Sequence, residues 1–192
     1  MEEVPKITRN EIDYGLMRRE ALTLVNSIRS SLFTSHGVRK DVKLILYPLE
    51  PKQRMIRIDG EKLRFMGPDE RSISILLSMS AERLISGRAG EEVSSPGVTI
   101  INKNKYQVGI NDDMLIINQS SDGSDLRRVQ FTGNLTYICA LDREWRFGDI
   151  RSFVEESPIP AIALNSASRT DLTILMMNNE IDRQLEHNHI VT

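Results

Sequence analysis

The sequence contains few of the residues that bind metals or form disulfides. Its 192 residues include one cysteine and three histidines. The single cysteine, Cys139, excludes an intramolecular disulfide, which suits a reducing compartment, and its apolar surroundings predict a small core residue rather than a reactive thiol. His187 and His189 lie beside Glu186 in what we interpret as a solvated C-terminal tail. We therefore expect no metal site.

Long apolar runs and the common catalytic motifs are also missing. No run approaches the ~20 residues that a membrane span needs, and we expect neither a signal peptide nor a membrane partner. The sequence has no Walker loop, no GxGxxG after a strand, no GxSxG and no HExxH. It therefore lacks the signatures of P-loop and dinucleotide-binding proteins, α/β-hydrolases and zincins. These absences predict a cytoplasmic protein.

The net charge of −2 gives no global sign of nucleic-acid binding. The charges are unevenly distributed, however, because the window His36–Arg64 holds eight lysines and arginines against four acidic residues. Such a window could face phosphate groups, or it could form an ordinary solvated surface. Charge alone leaves both alternatives open.

Apolar residues at helical spacing predict two amphipathic helices. The first spans Met17–Leu32, and Gly37 is placed to end it in a left-handed conformation. The second begins at Gly67–Glu70, with proline at the first helical position and carboxylates at the positive end of the helix dipole. Its predicted apolar face consists of Ile73, Leu76, Leu77, Ala81 and Leu84.

Short apolar segments between these helices predict an α/β fold. We expect a single domain over residues 1–192, with a mostly parallel sheet and helices on both faces. The dipeptide Asp59-Gly60 predicts a hairpin between Arg54–Ile58 and Lys62–Phe65. Other strands are predicted at Val42–Tyr47, Val98–Ile101, Tyr106–Ile110, Met114–Asn118, Leu135–Ala140 and Ile159–Leu164, and other helices at Asp149–Glu156 and Thr170–Glu186.

Two polar segments could carry chemistry. Ser35–Asp41 could present the side chains of His36, Arg39 and Lys40 to an anion, or it could be only a helix cap with a surface turn. Pro68–Arg71 is equally ambiguous, because its carboxylates could simply cap a helix while Arg71 pairs with a neighbour. The residues alone decide neither case.

Three segments together resemble the TrmY family of SPOUT methyltransferases. The first motif, Leu32–Asp41 (LFTSHGVRKD), is similar to the family's FxSHGIRRD. The second motif, Gly67–Ile73 (GPDERSI), is similar to its SPDERNIA, and the third motif, Ser95–Val98 (SPGV), to its STPGI. One short match would be chance, but three in the family's order make a specific signal.

The resemblance implies a SPOUT-type α/β knot with a C-terminal trefoil knot, in a homodimer. It also implies an S-adenosylmethionine-dependent methyltransferase that modifies N1 of a pseudouridine in the T-loop of tRNA. Asp69 then becomes the candidate proton acceptor, while His36, Arg39, Lys40 and Arg71 become candidate substrate-binding residues. The strand ends expected to bind the cofactor supply backbone at Ile117, Ala140, Leu141, Leu164 and Asn165.

The second half departs from the family pattern at two places. Ala140–Trp145 stands where the family has Gly-Asp-His-Ile-Gly, and alanine plus leucine at its start would narrow a pocket that glycine leaves open. Ser166–Asp171 lacks the His and Cys residues of the family's final loop. The alternative hypothesis is therefore a noncatalytic RNA- or protein-binding homologue. A small-molecule methyltransferase would rest on the fold alone.

Overall fold

The computed structural model describes residues 1, 3–86, 90–105, 113–119, 123–141, 161–165 and 169–190. It divides into two compact units, Met1–Tyr106 and Gln107–Thr192. The predicted strand Tyr106–Ile110, the predicted helix Asp149–Glu156 and the start of the predicted strand Ile159–Leu164 lie outside the described residues. The predicted mixture of helices and strands is confirmed, whereas the single domain over 1–192 stays a prediction.

The elements of the first unit are α1 (Arg9–Tyr14), α2 (Arg19–Leu32), β1 (Phe33–Thr34), β2 (Gly37–Val38), β3 (Lys43–Leu46), β4 (Arg54–Asp59), α3 (Glu70–Ser86), β5 (Glu92–Ser95) and β6 (Val98–Asn102). Four of the strands form an antiparallel sheet with the order β3-β4-β6-β5. Helices α2 and α3 contact each other; α3 also contacts β4, β5 and β6, while α2 contacts β3.

The prediction of a mostly parallel sheet is wrong for this unit. Neighbouring strands β3 and β4, β4 and β6, and β5 and β6 all pair antiparallel. The connections explain two of these pairs, because a parallel pair needs a crossover of a dozen or more residues. Only Tyr47–Gln53 joins β3 to β4, and only Pro96 and Gly97 join β5 to β6.

Both predicted amphipathic helices are confirmed, but their ends differ from the predictions. The apolar stripes of α2 and α3 are buried. Helix α2 runs directly into β1, so Gly37 does not end it and instead begins β2, with φ at +145°. Helix α3 begins at Glu70, so Pro68 precedes the helix rather than forming its first residue.

The predicted hairpin at Asp59-Gly60 is wrong. Strand β4 pairs with β3 and β6, and Lys62–Phe65 is not a strand. The physical reason lies in two backbone amides, since Gly60 donates to the carbonyl of Val42 and Arg64 donates to that of Pro96. These amides bond to neighbouring loops instead of folding the segment back onto β4.

The second unit contains a three-stranded parallel sheet formed by β7 (Met114–Gln119), β8 (Leu135–Ile138) and β9 (Ala161–Asn165), in the order β8-β7-β9. The predicted parallel pairing is therefore found in this unit. Its core joins buried Ile116, Val129, Leu164 and Met177. The last helix extends beyond the predicted end, so the main chain of His187 and His189 is helical rather than a loose tail. This helix is α4 (Thr170–Ile190).

Candidate functional site

One short segment, Asp59–Arg64, brings two of the three sequence motifs together, and we call it the connector. Its Gly60 N–H donates to the carbonyl of Val42, which directly follows the first motif, at 3.0 Å. Its Asp59 N–H donates to Gly97 at 2.8 Å and its Arg64 N–H donates to Pro96 at 3.2 Å. The same six residues at one end of the antiparallel sheet are therefore bonded to the third motif and to the residue that follows the first motif.

Two glycines allow the backbones to approach this closely. A Cβ atom at Gly60 would lie 2.0 Å from the carbonyl oxygen of Arg39. A Cβ atom at Gly97 would lie 2.5 Å from the Cα of Leu63, and Gly97 also has φ at +83°. Pro96 and Gly97 occupy the central positions of the β5–β6 turn, as in a type II turn. Neither position leaves room for a side chain.

The second motif follows the connector and is organised by Ser72. The Ser72 hydroxyl accepts a hydrogen bond from the Gly67 N–H at 2.8 Å and donates to the carbonyl of Phe65 at 3.4 Å. The backbone N–H of Ser72 donates to Oδ1 of Asp69 at 2.8 Å. The contacts of Ser72 tie the start of α3 to the residues just beyond the connector.

Asp69 and Arg71 both make the structural contacts that the sequence left open. Asp69 is exposed and caps α3 through Ser72. The Arg71 guanidinium lies 2.8 Å from the carboxylate of Asp13 on α1 and stays more than half exposed. These contacts leave a chemical role for either residue untested.

The first motif spans the last residue of α2, the short strands β1 and β2 with the turn between them, and the three residues that follow β2. His36 is exposed, and its backbone N–H donates to the Thr34 hydroxyl at 3.2 Å. Lys40 is exposed, whereas Arg39 is half-buried and donates its backbone N–H to Leu32 at 2.8 Å. The backbone contacts of His36 and Arg39 therefore lie within the first motif, and the carbonyl of Arg39 faces Gly60 of the connector.

In the second unit, four of the five predicted cofactor residues lie at or just beyond the carboxyl ends of the parallel strands, and Ile117 lies two residues before the end of β7. Ile117 of β7 pairs with Ile138 of β8 and with Ala163 of β9. Leu164 and Asn165 end β9, and Ala140 and Leu141 follow β8. Ligands of open parallel sheets bind at this edge.

Sequence reasoning missed two residues at this edge, Thr170 and Asp171. The Thr170 hydroxyl donates to the carbonyl of Ala140 at 2.7 Å, which joins the end of β8 to the start of α4. Asp171 is buried and pairs with Arg169 at 2.6 Å, and this hydrogen bond lowers the pKa of the Asp171 carboxyl. The Thr170 contact spans 30 residues, so no local pattern signalled it.

A third missed contact involves Gly123 and Ser124. Ser124 forms a parallel bridge with Leu164, donating to Ala163 at 2.7 Å and accepting from Asn165 at 3.0 Å. A Cβ atom at Gly123 would lie 2.2 Å from the carbonyl carbon of Leu164. A pocket of about 510 Å³ opens beside this segment, and none of the five predicted cofactor residues lines it.

Cys139 follows β8 and is half-buried. Burial raises the pKa of its thiol to about 12, so the thiol stays protonated at neutral pH. This supports the prediction of a packing role over a reactive one. Among the described residues, no group of three or more His, Cys, Asp or Glu side chains could hold a metal ion. No helix in the described part of the chain is long and apolar enough to cross a membrane.

A family model described as a putative SAM-dependent RNA methyltransferase matches residues 17–185. The chain belongs to this family. The match spans all three motifs and the strand ends of the second unit, so the resemblance to TrmY-type SPOUT methyltransferases is confirmed.

Curated relatives agree with this placement. The chain is 31% identical over 183 residues to a tRNA (pseudouridine(54)-N(1))-methyltransferase of Methanocella arvoryzae, covering 94% of this chain and 93% of the relative. It is 34% identical over 172 residues to the enzyme of the same name from Methanococcoides burtonii, covering 84% and 82% of the two chains.

A solved structure shares the fold. The structure matches that of Nep1 from Archaeoglobus fulgidus, crystallised with S-adenosylhomocysteine, with a TM-score of 0.53 and 12% sequence identity. The match covers 95% of this chain and 74% of the Nep1 chain. At this identity the likeness concerns the fold alone.

Proposed function

We propose that this member of the family methylates N1 of a pseudouridine in the T-loop of tRNA, with S-adenosylmethionine as the methyl donor. The observation that carries the proposal is the connector, which is bonded to the third motif and to Val42 beside the first motif, and which is separated from the second motif by two residues. Motifs that contact one substrate must lie close together, and the connector brings these motifs together. The names of the relatives supply the nucleotide.

The strand ends of the second unit fit an adenosyl group. Ile117 and Leu164 are buried apolar residues at the sheet edge. Backbone near Ala140, Leu141 and Asn165 lies at the same edge and offers peptide groups that can recognise adenine and ribose. When bound, S-adenosylmethionine supplies an electrophilic methyl group on a sulfonium. We propose that these five residues hold it.

The chain's own polar residues would then orient the substrate. The N1–H of pseudouridine must lose its proton during methylation, so an acceptor helps without being strongly basic. We assign that role to Asp69, whose carboxylate is exposed while one oxygen caps α3. Arg39 and Arg71 steady a phosphate or the base carbonyl, and His36 and Lys40 contact the RNA. The acceleration comes mainly from alignment.

We further propose that both units form one SPOUT-type domain with a C-terminal trefoil knot, and that the protein is a homodimer. Helix α4 supports the dimer, because Leu172, Leu175 and Met176 are all partly exposed on it. They recur at i, i+3 and i+4 and so share one helix face. An apolar helix face of this kind is suited to burial against a second copy.

A noncatalytic RNA-binding homologue is the competing function, and one contact favours it. The Ala140 carbonyl, in the segment assigned to the cofactor, already accepts a hydrogen bond from Thr170. Ala140 also carries a side chain where the family pattern has glycine, and Leu141 follows it. The hydrogen bond occupies a carbonyl that could otherwise bind a cofactor, and the side chains reduce the space for one.

Two measurements test the proposal in sequence. Isothermal titration of the full-length protein with S-adenosylmethionine should give saturable binding, and no binding at millimolar cofactor would favour the noncatalytic homologue. A T-arm stem-loop containing pseudouridine should then accept a radiolabelled methyl group. The matched RNA with uridine at the same position is the control, because its N1 is bonded to the ribose. Equal labelling of both RNAs would exclude N1 of pseudouridine as the target.

A further inference from the structure

Phe65 is the most unusual exposed residue near the motifs. Phe65 is 84% exposed, the highest value among the exposed large apolar residues of the described part of the chain. It is also the one residue other than glycine, in the described part of the chain, with a positive φ, at +62°. For a bulky L-residue this left-handed conformation is unfavourable, because the Cβ atom crowds the following carbonyl oxygen. If only folding mattered, the positive φ would favour glycine or asparagine at this position, and the exposure would favour a polar residue over phenylalanine.

The backbone around Phe65 is fixed on both sides, so this conformation does not belong to a loose loop. Arg64 donates to Pro96, and the Phe65 carbonyl accepts from the Ser72 hydroxyl. The side chains of Leu63 and Met66 are both buried and anchor the segment. These contacts hold the backbone in a strained conformation while the ring points into solvent.

Two exposed basic side chains and one exposed acidic side chain, Glu61, precede Phe65 in the sequence. Phe65 lies between the connector and the second motif, and exposed Lys62 and Arg64 precede it. The Arg64 guanidinium donates to the carbonyls of Leu63 and Glu61, at 2.7 and 3.2 Å, which keeps a positive charge beside the segment. Unpaired RNA bases are recognised by stacking on aromatic rings next to cations that neutralise phosphate.

We infer that Phe65 is a base-stacking residue of the RNA-binding surface, an inference that rests on the proposed function. Its ring stacks on an unpaired nucleotide of the T-loop, and the fixed backbone presents it before RNA arrives. Strain held in place by surrounding contacts is characteristic of binding sites. The positive φ is thus the cost of displaying an aromatic ring at this point.

The test compares substitutions at Phe65 in the full-length protein, using the pseudouridine-containing T-arm stem-loop as the probe. Phe65→Ala and Phe65→Leu should each raise the Kd for RNA ~5- to 100-fold, because both remove the stacking ring. Phe65→Trp should bind within about twofold of the wild type. Tyr14→Ala, which removes another ring that is 75% exposed in the same unit, should leave the Kd unchanged.

Phe65→Gly separates stacking from folding. Glycine adopts a positive φ without strain, so we expect a higher melting temperature together with RNA binding as weak as that of Phe65→Ala. Wild-type affinity in Phe65→Leu would show that the ring is not required. A change of oligomeric mass in Phe65→Ala, measured by light scattering, would assign the ring to self-association. Either result would overturn the inference.

The two proposals fail in different ways. If the wild type methylates the RNA and all Phe65 variants bind it equally well, the stacking inference is wrong and the proposed function stands. If the wild type neither binds nor methylates the RNA, the proposed function is wrong, and the stacking inference is overturned with it.

Discussion

At the scale of single residues, Asp69 combines a structural contact with a proposed chemical role. One carboxylate oxygen accepts the Ser72 N–H and so caps α3. The proposed transfer needs a proton acceptor in the same side chain. Removing the side chain would disturb both roles, and only a substitution that keeps the cap can separate them.

Asp69→Asn should therefore behave differently from Asp69→Ala. Asparagine caps helices about as well as aspartate, so we expect unchanged stability but a kcat lowered by about 100-fold or more through loss of the acceptor. Asp69→Ala should lower both kcat and the free energy of unfolding, the latter by about 1 kcal/mol. Denaturant unfolding and single-turnover methylation measure the two effects. Full activity in Asp69→Asn would leave Asp69 as a cap only.

Glu180 on α4 gives a pH dependence of stability. Hydrogen bonds from Arg183 and Gln184 lower the pKa of its carboxyl from an ordinary 4.5 to about 2. A carboxyl whose pKa falls on folding stabilises the protein above its unfolded pKa, and this contribution disappears as the pH falls through the folded pKa. The loss should therefore occur between about pH 4.5 and pH 2.

Melting temperatures measured across that range should fall less steeply for Glu180→Gln than for the wild type, because glutamine does not titrate. Glu82→Gln, an exposed position on α3, is the matched control and should follow the wild-type curve. Identical curves for Glu180→Gln and the wild type would show that the ion pair does not form in solution.

At the scale of elements, the β5–β6 turn needs glycine for two reasons: its backbone packs closely against the connector, and Gly97 has a positive φ. Gly15 and Gly97 both have a positive φ, at +66° and +83°. A Cβ atom at Gly15 would meet nothing within 4 Å, whereas one at Gly97 would meet the backbone of Leu63. The two glycines therefore form a matched pair that separates conformational strain from crowding.

Gly15→Ala should lower the free energy of unfolding by ~1–2 kcal/mol through the left-handed conformation alone. Gly97→Ala should cost a further ~1–3 kcal/mol, because the methyl group forces the turn away from the connector. Chemical denaturation of both variants measures the difference. If the two substitutions cost the same, the turn would not be packed against the connector in solution.

Helices could be predicted from the sequence where apolar residues at helical spacing become buried on one face. The connections between elements could not be predicted in this way. The stripe of α2 was readable because Leu24, Ile28 and Leu32 repeat at helical spacing and become buried. Asp59-Gly60 predicted a hairpin, since the local dipeptide gives no sign of the carbonyls of Arg39 and Val42 that occupy the space. Long-range backbone contacts decided that position.

At the scale of the whole molecule, the sequence identified the family but not the arrangement of its site. The motifs were recognisable from residue types, whereas the bonds that join them arise from residues such as Gly60 and Arg64, which belong to none of the motifs. Likewise, the five strand-end residues were found by resemblance, but the contact of Thr170 with Ala140 depends on the packing of α4.

The uneven charge distribution predicts a salt dependence for tRNA binding. If the first motif contacts phosphate, Arg39→Ala combined with Lys40→Ala should reduce the slope of log Kd against log salt by about 1 to 2, because each lost contact releases fewer counterions. Lys52→Ala, an exposed lysine between β3 and β4 at the other end of the sheet, should leave the slope unchanged. An unchanged slope in the double variant would remove the first motif from the RNA surface.

The connector also has a consequence for how this protein can diverge. A side chain at Gly60 or Gly97 would displace the connector from the loops it contacts. One mutation would therefore change the positions of residues in or beside more than one motif. The strand ends of the second unit are held by separate segments, because Ala140 accepts a hydrogen bond from Thr170 whereas Asn165 donates one to Ser124. Over time the motifs should therefore be inherited as a set, while the strand ends accept changes one at a time. The sequence has this form, with three motifs retained and glycine absent at Ala140.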